Sequence, residues 1–101
     1  MANLKEALTA VKLEKKTIAL DEGTTADVYL RDLSYGASFE ILKLGKTSAK
    51  ESNIIMVREM VRDESGNKIF TNEELENLES SVFMKLLKVC DEFLQKKTAK
   101  K

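Results

Sequence analysis

The sequence predicts a small α+β domain, with an N-terminal β-hairpin packed on a helical C-terminal part that ends in a long amphipathic helix. Three observations predict it. Two short runs alternate apolar and polar residues around a turn that contains Gly23. After Ser34 the apolar spacing lengthens to three and four residues. From Thr71 to the lysine-rich end, apolar residues recur at helical spacing with no breaker between them.

The chain has 101 residues, the size of one domain and too short for two full cores. It contains no proline, no Gly/Ser-rich linker and no internal repeat, so residues 1–101 read as a single unit. Hydrophobic residues make up 43 % and aromatics only 6 %, with no Trp, so the core must be built mainly from Leu, Ile, Val and Met. A domain this small buries a modest share of its surface. Self-association or a bound partner would therefore add to its stability.

Taken in order, residues 1–16 form a short helix or a frayed lead, because Leu4, Ala7, Leu8 and Val11 fall on one helical face. Residues 17–32 form the hairpin. Ile18 and Leu20 alternate with Thr17 and Ala19, Val28 and Leu30 alternate with Asp27, Tyr29 and Arg31, and Asp21-Glu22-Gly23-Thr24-Thr25 turns the chain. A lone hairpin is marginal in water, so its Ile18/Leu20/Val28/Leu30 face must pack on helices.

Residues 34–94 read as mainly helical. Tyr35, Phe39 and Leu42 make one stripe, and Gly45 stops that helix. Ser48 with Glu51 offers a capping box for a second helix to about Val61, although Ile54-Ile55-Met56-Val57 fits a strand equally well. Asp63-Glu64-Ser65-Gly66-Asn67 reads as a turn and Lys68-Ile69-Phe70 as a short extended return. Thr71 with Glu74 makes a second capping box and opens the final helix. There Leu75, Leu78, Val82, Leu86, Val89 and Phe93 form one apolar row, and Phe83, Leu87, Cys90 and Leu94 a second. A surface helix ordinarily shows one stripe. Two rows mean that the domain wraps this helix or that part of it faces an outside partner. Residues 95–101 read as a disordered lysine-rich tail.

Composition excludes several function classes. Lys+Arg and Asp+Glu both number 17, for a formal net charge of zero, so no global field draws nucleic acid or a membrane surface. Histidine, the commonest general base and zinc ligand, is absent. A single cysteine forbids an intramolecular disulfide. No apolar run approaches membrane-spanning length, and the first fifteen residues lack a signal-peptide core, which makes the cytoplasm the expected compartment.

The candidate chemical sites dissolve on inspection. Aligning Gly66 with the glycine of a calcium loop puts Val61 at the first ligand position and Asn72 where the bidentate Glu belongs, so Asp63–Asn67 reads as a turn. Cys90 lies deep in a helix in line with Phe83, Leu87 and Leu94, away from a helix N-terminus and in a chain with no histidine to activate its thiol. The carboxylate pairs Asp21/Glu22, Asp63/Glu64, Glu73/Glu74 and Asp91/Glu92 sit at turns, helix starts and polar faces rather than in a cleft. The four glycines are scattered singly, so no phosphate loop forms. No catalytic residue, metal site or cofactor is expected, and the chain is not an enzyme.

With these residues in view, the sequence from about Thr17 to Leu94 resembles the tail assembly chaperones of long-tailed phages and prophages. The resemblance lies in the hairpin, the Leu33-Ser34 helix start, the middle apolar segment, and Arg62-Asp63-Glu64-Ser65-Gly66-Asn67-Lys68-Ile69-Phe70 followed by Thr71-Asn72-Glu73-Glu74-Leu75-Glu76-Asn77-Leu78. It implies a protein that binds the tape measure protein, with the major tail protein as a second partner. The tape measure protein would stay soluble in the host cytoplasm until tail tube subunits polymerise around it. Long apolar-striped helices aggregate unless covered. The broad stripe of the last helix makes Leu78, Val82, Phe83, Leu86, Leu87 and Leu94 the expected partner surface. Two other readings stand beside this one. A structural tail or connector subunit would polymerise alone, and a nucleic-acid-associated regulator would use the lysine tail and lose binding steeply with salt.

Overall fold

The computed structural model describes residues 3–9, 12–21 and 23–98. In chain order the elements are α1 (Leu4–Thr9), β1 (Leu13–Asp21), β2 (Thr24–Arg31), α2 (Tyr35–Gly45), α3 (Ala49–Met60), β3 (Val61–Arg62), α4 (Asn72–Glu76) and α5 (Ser80–Thr98). The architecture is α+β: a three-stranded antiparallel sheet in the order β1-β2-β3 with helices against it.

β1 and β2 pair from Leu13↔Arg31 to Asp21↔Thr24, with a register shift between Ala19 and Asp21. Gly23, at φ +82°, supplies the left-handed residue that the turn needs. The hairpin starts four residues earlier than the alternation around Ile18 suggested, because Leu13, Glu14, Lys15 and Lys16 also find cross-strand partners. Period 2 puts Ile18, Val28 and Leu30 on the inner face, and all three are buried. Thr17 and Asp27 meet on the outer face, where the threonine hydroxyl donates to the carboxylate at 2.8 Å.

α3 is the centre of the domain. Ser52, Ile54, Ile55, Met56, Val57 and Met60 are all buried, which is more of its circumference than an amphipathic surface helix covers. It packs against α2, α4, α5 and the sheet. The Ile54–Val57 run is thus helical, and Ser48 caps it by accepting from the Glu51 N–H at 3.2 Å. At Val61 the chain leaves the helix and enters β3 with no intervening loop, pairing Val61 with Leu30 and Arg62 with Tyr29. The sequence alone carries the helix to about Val61 and gives no sign of this third strand. The turn at Asp63 then brings Lys68 back to bridge Arg62.

The final helix expected from Thr71 is two helices. α4 keeps the predicted capping box of Thr71 and Glu74, but Asn77 ends it. The Asn77 side-chain amide donates to the Glu73 carbonyl at 3.0 Å, a local bond that competes with helix continuation. The break lets Leu75 insert against α3 while α5 sets off along its own line, burying Leu86, Cys90 and Phe93 at helical spacing. α5 continues through Thr98, so residues 95–98, placed by composition in a disordered tail, are helical. Lys96 pairs with Glu14 of β1 at 3.4 Å. Val11, Glu22 and residues 99–101 lie outside the described residues.

Candidate functional site

Among the described residues no group of three or more His, Cys, Asp or Glu is arranged to hold a metal ion. At the acidic turn, Asp63 Oδ1 accepts from the Ser65 and Asn67 N–H groups at 2.9 and 3.0 Å, and Gly66 sits at φ +91°. Its carboxylate is thereby committed to the turn. Cys90 is fully buried, and burial, with the Asp91 charge adding to it, pushes its thiol up to about 12. It stays protonated and packs as a small apolar group.

The ionic groups that are held closely brace the fold. Burial by itself would raise the Glu59 carboxyl, but hydrogen bonds and charge from Lys68 and Arg58 bring it below the ordinary range. Lys68 Nζ lies 2.8 Å from Glu59 Oε2. Arg62, 8 % exposed, donates to the Glu59 and Gly66 carbonyls at 2.8 and 3.1 Å. Together they pin the end of α3, β3 and the turn that follows.

The apolar surface is where the molecule is unfinished. Of the residues expected to meet a partner, Leu86 is in the core, and Leu78, just before α5, and Phe83, Leu87 and Leu94 on it pack against that core half-buried. Val82 is half-buried beside them. The two-row stripe is broad because α3 and β1 wrap it. Leu78 and Phe83 do reach an open cleft of about 300 Å³, shared with Ile54 and Leu75 and bordered by the Lys50–Glu76 ion pair at 2.7 Å.

The uncovered stripe is on α2. Ser34 starts this helix by accepting from the Ala37 N–H at 3.1 Å, and the Thr47 and Ser48 N–H groups close its end on the Leu44 carbonyl. α2 packs against α3 through half-buried Ile41, and the Ser52 hydroxyl donates to the Ile41 carbonyl at 3.1 Å. None of its side chains is fully buried. On its outer side Tyr35, Phe39 and Leu42 are 83, 60 and 71 % exposed. They stand at i, i+4 and i+7, one face of a helix, with the two aromatic rings 6.2 Å apart. Their spacing is visible in the sequence; that α3 leaves this row open to water is not. A second, smaller uncovered pair, Leu4 and Leu8, lies on α1.

No helix of the described residues is long and apolar enough to cross a membrane. No curated protein and no solved structure matches the chain. A family model described as phage tail assembly chaperone, TAC, matches residues 2–93.

Proposed function

The chain belongs to the phage tail assembly chaperone family, and from that premise we propose that it binds the tape measure protein in the host cytoplasm. It keeps that protein soluble until the tail tube forms around it. The observation that carries this reading is the α2 stripe of Tyr35, Phe39 and Leu42, three large apolar side chains left open to water on a helix with no buried residue. Large contiguous apolar patches on a small soluble protein mark interaction surfaces. An amphipathic helix of the partner can lie along such a row with its own i, i+4, i+7 anchors. Leu78 and Phe83, at the cleft mouth, serve as a secondary contact; the other residues predicted to meet a partner, all on α5, act mainly through the core. Each site is small, so capture relies on several copies bound along one long chain, where effective concentration multiplies weak contacts.

Co-expression with the tape measure protein tests the reading. The expected result is a soluble complex containing several copies of this chain, lost in a Phe39→Asp/Leu42→Asp double variant whose circular dichroism is unchanged. An insoluble tape measure protein beside free wild-type chain would overturn it. Size-exclusion chromatography of the chain alone would then test a self-polymerising structural subunit.

A further inference from the structure

Resting on the reading of α2 as the partner surface, we propose that the groove beside α2 receives one amphipathic helix, antiparallel to α2, with an acidic first turn over Lys43 and Lys46. The groove has a volume of about 600 Å³ and is lined by Tyr35, Gly36, Phe39, Glu40, Lys43 and Leu44. Gly36 leaves one wall open, since a Cβ there would meet nothing within 4 Å. A backbone can approach closely at a residue without a side chain.

The charges give the occupant its direction. Lys43 and Lys46 are exposed at the C-terminal end of α2 and stand in no ion pair among the described residues. Lys15, Lys16, Lys50, Lys68 and Lys96 all have a carboxylate partner. An antiparallel helix sets its N-terminus beside the C-terminus of α2, so the opposite ends of the two macrodipoles adjoin. The first turn is also where acidic side chains are favoured, and there they face the two lysines. Glu40, one turn nearer the start of α2, selects a basic residue about one turn after that acidic start. The apolar row of the occupant then runs over Phe39 and Tyr35 in that order, with exposed Leu42 beside the groove. The occupant is therefore a helix whose sequence opens with acids, continues with a base, and repeats apolar residues at three- and four-residue steps.

The probe is a fluorescent peptide of about 20 residues, long enough to hold a helix. It carries leucines at that spacing, two glutamates in its first turn and a lysine one turn later. A second peptide has the glutamates and lysine exchanged. By anisotropy at low salt, wild-type protein should bind the first about tenfold tighter. The Lys43→Glu/Lys46→Glu double variant should invert the order, and the gap should close as salt screens it. Equal binding of both peptides by the wild type, or an unchanged order in the double variant, overturns the proposal. Gly36→Leu has room to fold and should block both peptides; undiminished binding also overturns it. Tape measure capture run alongside separates the two levels. A double lysine variant that captures normally, where Phe39→Asp/Leu42→Asp fails, removes the charge rule and leaves the chaperone reading. Normal capture by both removes α2 as the site.

Discussion

Cys90 shows how position overrides reactivity. Its folded pKa, about 12, lies above the ordinary 9.0, so the folded state holds the thiol proton more tightly than the unfolded chain does. That preference contributes stability below pH 9, and it is lost as pH rises from 9 toward 12. Alkaline titration followed by circular dichroism should show a stability decline in that window, and a Cys90→Ala variant should flatten it. At pH 8 an aromatic disulfide reagent should leave the native thiol untouched and react within the mixing time in denaturant. Glu59 has the opposite sign. Its carboxyl is held below 4.5 by Lys68 and Arg58, so its contribution is present at neutral pH and lost as pH falls below that value. Glu59→Gln should cost about 1–2 kcal/mol in urea unfolding at pH 7, and much less at pH 3.

At the level of elements, two pairs of substitutions separate core from surface. Phe83→Asp/Leu87→Asp on α5 buries charge against the core and should prevent folding. Phe39→Asp/Leu42→Asp on α2 should change stability by no more than about 0.5 kcal/mol, as surface substitutions do. Thr71→Ala removes half of the α4 capping box and should cost about 1 kcal/mol, read as a lower urea midpoint with an unchanged slope. The elements legible in the sequence were those carried by local signals: the Ile18/Val28 alternation, the change of period at Ser34, the Ser48 and Thr71 caps, and the glycine turns. What stayed hidden depended on neighbours distant in sequence. Asn77 breaks the last helix, and Leu75 of α4 and Leu86 of α5 then enter the same core from two separate helices. Val61 becomes strand because Leu30 waits for it. The same limit governed the site. The α5 and α2 rows have the same apolar spacing, and only the placement of α3 and β1 covers one while the other stays open.

For the whole molecule, stability should be graded from the centre outward. α3 is buried by helices and sheet together, whereas the described side chains of α1 and α2 include none that is fully buried. Native-state hydrogen exchange should find the slowest amides in α3 and β2, and much faster exchange in α1 and α2; uniform protection would contradict this layering. The proposed partner surface on α2 thus sits where no side chain is fully buried, free to adjust without disturbing the core. The direct passage from Met60 to Val61 makes the molecule unequally tolerant of changes in length. One residue inserted into the last turn of α3 would rotate everything after it by about 100°, and no loop lies between helix and strand to absorb the turn. Val61 would present its wrong side to Leu30, reversing which β3 residues face the core. An insertion at Glu64 or Ser65, in the exposed turn just beyond, would lengthen a bend and leave both registers intact. Members of this family that differ in length should therefore carry their insertions and deletions in that turn, with α3 and β3 kept at a constant separation.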